Sequence, residues 1–241
     1  MEVSKGPHMS KILMVVTAAD SLTLADGSAH PTGFWAEELV VAHRELTAAG
    51  HEVVIATPGG RIPPVDPGSL DAAVVGDAAR AEEFRAYLDA IRAELDHPAT
   101  LGDLSAADFA AVVLPGGHGP MADLAFDEDL GRILVEADAD ARLIAPFCHG
   151  PAGLLSATTA EGGFAFAGRT LTAFSDEEEA SGGLGENTPW LVAATLRERG
   201  AVVEDAAPWS SHVVRDGNLI SGQNPQSSDA VARVLIEALG A

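Results

Sequence analysis

Short runs that are apolar on both faces alternate along this chain with longer segments that are apolar on one face only. "KILMVV" (11–16), "EVVIAT" (52–57), "FAAVVL" (109–114), "RLIAPF" (142–147), "TLTAF" (170–174) and "AVVED" (201–205) are the short runs. Such runs, rich in Val, Ile, Leu and Ala, read as strands of a parallel sheet, which is covered on both sides. The intervening segments have helical spacing. "GFWAEELVVAHRELTAAG" (33–50) closes on Gly50 as a C-cap, and further helices are predicted over 77–95, 127–140, 188–200 and 227–240. Asp127, Thr188 and Ser228 are the predicted N-caps. "VVRDGNLISG" (213–222) places Asp-Gly between apolar pairs and predicts a hairpin. The fold class that follows is α/β: one doubly wound, mostly parallel sheet with helices on both faces and a small β-hairpin excursion. The domain is expected to span 9–241, and "MEVSKGPH" (1–8) reads as a vector-derived leader.

Composition removes several function classes. A net charge of −22 argues against nucleic acid or an anionic membrane as partner, because phosphate contacts need clustered Lys and Arg. No run reaches the length of a membrane span, and no secretory signal precedes "KILMVV". A single cysteine forbids an internal disulfide, in keeping with a reducing cytoplasm.

That cysteine, Cys148, lies in "IAPFCHGPAG" (144–153). A lone cysteine is ordinarily a small buried hydrophobe. This one ends an apolar strand, where doubly wound sheets build their sites, and "HGPAGLLSA" after it is expected to begin a helix. Such a strand–nucleophile–helix elbow turns the side chain out of the sheet and aims N–H groups at it. Those donors lower a thiol's pKa and also bind a developing oxyanion.

"FCHGPAGLL" (147–155) with "VVLPGGHGPMADL" (112–124) resembles the PfpI superfamily, which has the class I glutamine amidotransferase-like, flavodoxin-like fold and includes the parkinsonism-associated deglycase. "PTGFWAEEL" (31–39), "TAFSDEEE" (172–179) and "DGNLISGQNPQSS" (216–228) are similar to its glyoxalase III and heat-shock chaperone branch. The resemblance implies a Cys148 nucleophile, with His149 beside it and Glu38 as the carboxylic acid hydrogen-bonded to sulfur. It makes Glu179 the acid that orients His149, with Asp176, Glu177 and Glu178 as competitors. The N–H groups of Gly117 and His149 would form the oxyanion hole. His118, Trp35 and Phe34 are candidate pocket residues, Trp209 is core or pocket wall, and His30 is a more distant candidate. The branch also implies a homodimer.

Absent motifs narrow the chemistry. The chain has no Gly-x-Ser-x-Gly elbow, no zincin pair, no structural-zinc spacing and no Walker loop, so neither a metal nor a cofactor is expected. His212 is followed by "VV", not by the His-x-Glu of a glutaminase. A thiolate, a carboxylic acid and a histidine suffice to add to a 2-oxoaldehyde, move a proton to the neighbouring carbon and release a 2-hydroxy acid. The expected activity is therefore glutathione-independent conversion of methylglyoxal to lactate, or deglycation of early protein or nucleotide adducts. The alternatives are a holdase chaperone indifferent to Cys148, and a cysteine peptidase or small-amide or isonitrile hydrolase.

Overall fold

The computed structural model describes residues 9–240, so the expected leader over 1–8 lies outside the described residues. Seven strands form the central sheet: β1 (Lys11–Val15), β2 (Glu52–Thr57), β3 (Ala99–Thr100), β4 (Ala111–Leu114), β5 (Leu143–Pro146), β6 (Val213–Asp216) and β7 (Leu219–Gly222). Their order across the sheet is β6-β7-β5-β4-β1-β2-β3. Every pairing is parallel except β6 with β7. The chain leaves β1 toward β2 and later returns on its other side to β4, which opens a crevice at the carboxyl ends of the central strands.

Alternation along β1 separates two buried layers. Leu13 and Val15 face one layer, which packs on α3 (Glu128–Ala139) through Leu130, Ile133 and Leu134. Ile12 and Met14 face the other, which packs on α1 (Ala36–Ala48) through Leu39 and Leu46 and on α6 (Ser228–Leu239) through Val231 and Leu235. Each fully buried aliphatic side chain contributes about 1.5–3 kcal/mol, so the strand core is what fixes the loop ends above it.

Gly50 caps α1 as expected: it sits at φ +89°, its N–H meets Thr47, and His51 N–H reaches back to Leu46. Asp127 caps α3 by accepting from Leu130 N–H. The helix predicted over 77–95 is broken at Ile91, leaving α2 (Ala78–Ala90) and a single turn over Arg92–Asp96.

Other expectations are corrected. The hairpin over 213–222 is present, but it completes the central sheet instead of leaving it, because β7 is buried along its whole length and pairs with β5. The runs at 170–174 and 201–205 do not join that sheet. Only Thr170–Leu171 and Val202–Val203 pair, as a separate parallel ladder, since the hairpin already occupies the edge and takes Thr170 N–H on Asp216. Thr188 is not an N-cap: its hydroxyl bonds Glu179, and α5 begins later, at Val192–Glu198. Ser228 is the first residue of α6, its hydroxyl turned back to Pro225. The segment after Cys148 is a 3₁₀ run, Gly150–Ser156, and not an α-helix.

Candidate active site

Cys148 follows β5 with φ at +57°, a left-handed conformation that costs a non-glycine residue about 1–2 kcal/mol. Two hydrogen bonds hold it there, Cys148 N–H to Gly222 and Phe174 N–H to the Cys148 carbonyl, both 2.9 Å. Gly150 makes the tight exit possible, since a Cβ on it would lie 2.1 Å from the Leu114 carbonyl oxygen.

Glu38 comes from the first turn of α1. That turn is docked by Trp35 N–H on the Gly116 carbonyl, and Gly116 N–H returns 2.6 Å to Glu38 Oε2. Oε1 is buried without a conventional partner, and the remaining hydrogen-bonding neighbour of the carboxyl is the Cys148 side chain. Burial, only partly offset by Gly116 N–H, raises the Glu38 pKa to about 8. The acid is therefore protonated at neutral pH, with the Cys148 side chain as its neighbour.

His149 completes the other side. Its Nδ1 lies 3.4 Å from Cys148 Sγ, and its Nε2 lies 2.7 Å from Glu179 Oε2. Burial, and then the neighbouring His118, lower its pKa, so the ring is neutral. With Glu179 ionised, the ring proton belongs on Nε2, which leaves the Nδ1 lone pair toward the thiol.

Glu179 lies on α4 (Asp176–Gly182). Burial pushes its pKa up, but hydrogen bonds from His118 and His149 pull it further down, so it stays a carboxylate. Its Oε1 also accepts from Leu184 N–H at 2.6 Å and from the Thr188 hydroxyl at 3.0 Å. His118 Nε2 sits 3.2 and 3.3 Å from the two oxygens.

Of the competing acids, Asp176 pairs with Arg197 and Glu177 is exposed. Glu178 is buried on different business, which sequence reading missed. It closes a capping box with Ser175 and accepts from Trp209 N–H, Gln223 and Asn224. The Ser-x-x-Glu spacing of 175–178 was the available signal for the box.

The thiol differs from expectation. Burial raises its pKa, Glu38 raises it further when charged, and the N–H groups of Gly117 and His149 oppose both. An exposed thiol on a helix N-terminus would be lowered; this one is 3% exposed, and a 3₁₀ turn follows it. It rests as a thiol, with His149 Nδ1 3.4 Å from its sulfur.

A cavity of about 350 Å³ opens over Cys148, His149, His118 and Gly117. Trp35, Phe174, Trp209, Val74 and Val75 wall it, and Glu37 and Gln226 lie among the other lining residues. Phe34, expected at the pocket, is instead completely buried in the core layer between the sheet and α1. His30 stays one layer back, its ring edge-on to His118 at 6.2 Å. Gly117 is required by geometry, at φ +89° and with a Cβ that would fall 2.5 Å from the Gly33 carbonyl oxygen. His118, His149 and Glu179 present ligand atoms within 4.8 Å of one another, the one group of three such side chains among the described residues close enough to be able to hold a metal ion.

Residues 30–238 match the DJ-1/PfpI family. The protein/nucleic acid deglycase HchA of Pseudomonas aeruginosa (strain UCBPP-PA14) is 30% identical, over 95% of this chain and 80% of its own length. HchA of Staphylococcus aureus (strain bovine RF122 / ET3-1) is 27% identical over the same shares of each chain. Among solved structures, the Rapid Encystment Protein 24 KDa of Francisella tularensis superposes with a TM-score of 0.84 at 27% identity, covering 96% of this chain and 99% of that one. Glyoxalase III of Candida albicans superposes at 0.81 with 24% identity, covering 96% and 98%, a likeness of fold.

Proposed function

The chain belongs to the DJ-1/PfpI family, and from that premise we propose a cofactor-independent glyoxalase that turns methylglyoxal or a related 2-oxoaldehyde into a 2-hydroxy acid and also acts on early glycation adducts. The observation that carries this reading is Glu38: a completely buried carboxyl with one oxygen lacking a conventional partner and the Cys148 side chain as its hydrogen-bonding neighbour, its pKa raised by burial to about 8. A peptidase or amidase needs the thiol, the histidine and the oxyanion hole. Moving a proton between adjacent carbons calls for one acid–base group more.

In this mechanism Cys148 passes its proton to His149 Nδ1 as sulfur attacks the aldehyde carbon, and Glu179 stabilises the imidazolium. The N–H groups of Gly117 and His149 stabilise the developing alkoxide. The alkoxide takes its proton from Glu38, which gives the hemithioacetal and leaves Glu38 a carboxylate beside the imidazolium. Glu38 then takes the proton from the former aldehyde carbon and returns it to the neighbouring carbon through an enediol, while His149 carries the proton between the two oxygens. Water hydrolyses the thioester so formed, releasing the 2-hydroxy acid and restoring the thiol and the protonated Glu38. With an early adduct as substrate, sulfur replaces the amine on the same carbon: the C–N bond breaks as the C–S bond forms, the amine leaves with the proton of Glu38, and the hemithioacetal follows the same course.

The deglycase names of the relatives support the adduct branch. A chain of net charge −22 is not a nucleic-acid binder on that account, and the reactive carbon skeleton is the recognised unit. The exposed Phe126, edge-on to Trp190 at 6.5 Å, is an apolar patch that supports the homodimer, which light scattering at micromolar concentration should show. No helix among the described residues is long and apolar enough to cross a membrane, and a lone cysteine kept as thiol fits the cytoplasm.

The decisive experiment follows lactate formation from methylglyoxal without glutathione, in the natural protein and in Cys148→Ala. Turnover that disappears in the variant is the expected result. Absence of turnover in the natural protein, or its persistence in the variant, would overturn the proposal. Unchanged suppression of client aggregation by Cys148→Ala would instead identify a chaperone.

A further inference from the structure

We propose that His118, His149 and Glu179 form an inhibitory site for one divalent transition-metal ion of the Zn²⁺ class, reached through the cavity and separate from the thiol. A tetrahedral ion held at about 2.0–2.1 Å sets its ligand atoms about 3.3 Å apart. His118 Nε2 already stands 3.2 and 3.3 Å from the Glu179 oxygens. His149 Nε2, at 2.7 Å from Oε2, needs to open by about 0.6 Å to reach that spacing. Two imidazoles and one carboxylate suit Zn²⁺, Cu²⁺ or Ni²⁺, and not the all-oxygen shells of Mg²⁺ or Ca²⁺.

The surroundings hold these donors in place as an outer shell does. Glu179 Oε1 is tied to Leu184 N–H and to the Thr188 hydroxyl, which leaves Oε2 for the ion. The His149 ring lies 4.5 Å from the Phe174 ring, and both histidines face the cavity, which supplies water as a fourth ligand. The three residues come from segments 31 and 30 positions apart, so no local spacing motif displays the set.

The proton balance explains the inhibition. In each neutral ring the metal takes Nε2 and the single proton sits on Nδ1. On His149, Nδ1 is the nitrogen that faces Sγ. A metallated His149 therefore has no lone pair to receive the thiol proton, and attack stops. Removing the metal restores the Nε2–H form.

Co²⁺ titration of the full chain tests this, because cobalt reports its ligands in its spectrum. The expected result is one equivalent bound, with visible bands of a four-coordinate nitrogen and oxygen site and no sulfur-to-cobalt charge-transfer band. Cys148→Ala should bind it equally well, and His118→Gln at least about 10-fold more weakly. One equivalent of Zn²⁺ should abolish turnover, and a chelator should restore it. A charge-transfer band, or loss of binding in Cys148→Ala, would place the metal on the thiol and overturn the proposal. Weak binding at many carboxylates, or binding unchanged in His118→Gln, would overturn it equally. The spectra of the unmodified chain and of Cys148→Ala decide the question even if His118→Gln fails to fold.

Discussion

On the α1 side of Cys148 stands Glu38, and on the α4 side stands Glu179, two buried glutamates flanking one sulfur. Glu38 receives one backbone N–H and has an oxygen with no conventional partner. Glu179 receives two imidazoles, a backbone N–H and a hydroxyl. Burial acts on both, and the count of donors decides the outcome: the poorly solvated acid keeps its proton to about pH 8, and the well-solvated one stays ionised. One residue type thus supplies an acid and an anchor at the same site.

The largest expected effect tests the anchor. Glu179→Gln offers His149 an amide that can present N–H where an oxygen stood, so the ring loses its tautomer. The rate should fall by as much as about 10⁴-fold in kcat, measured by lactate release. A loss under tenfold would mean that donor count at Glu179 does not control His149.

Next comes the acid. Glu38→Gln keeps a donor but cannot shuttle a proton, so kcat should fall about 10²-fold or more with little change in KM. The natural enzyme should lose rate above about pH 8 as Glu38 ionises, and the variant's profile should lack that limb. A profile identical in both proteins would remove Glu38 from the chemistry.

Stability separates the two glutamates by sign. The Glu38 pKa is raised from 4.5 to about 8, so the folded chain binds the extra proton between these values. Its contribution is fully present below 4.5 and is lost as pH rises through 8, a few kcal/mol in all. Glu179, lowered, contributes above its unfolded value and loses that contribution as pH falls. Denaturant midpoints across pH should therefore decline less steeply between 4.5 and 8 in Glu38→Gln than in the natural chain. An equal slope would contradict the assignment.

The smallest effect probes a single donor. Thr188→Val removes one hydrogen bond from Glu179, at a cost of about 1 kcal/mol of stability by thermal unfolding. Turnover should drop only a few-fold, because three donors remain.

The strand core was legible because its signal is local. Apolar runs at 11–16, 52–57, 109–114 and 142–147 announce buried strands without knowledge of their partners. The runs at 170–174 and 201–205 look alike in composition, yet their place depends on which strand reaches the sheet edge first, and the hairpin does. Thr188 shows the same limit, for its hydroxyl has a distant carboxylate to satisfy and leaves the cap position. Of the candidate site, Cys148 stood out because "FCHGP" ends a strand where packing alone explains the choice poorly, whereas Glu38 and Glu179 were picked out by the likeness of "PTGFWAEEL" and "TAFSDEEE" to the family. The site's protonation states were not legible. Burial of the thiol, the orphaned Oε1 of Glu38 and the tie between His118 and Glu179 arise from contacts across 30 to 110 residues, counted between Glu38 and Cys148 at the longest.

The left-handed joint at Cys148 is fastened by Gly222 and by Phe174, both downstream in the chain. On a ribosome, which makes the chain from its N-terminus, the cysteine emerges well before either fastener. Between residues 148 and 222 the nascent chain therefore carries the cysteine without its full set of fasteners. The left-handed joint closes only once the strand that bears Gly222 has been made and has docked on β5.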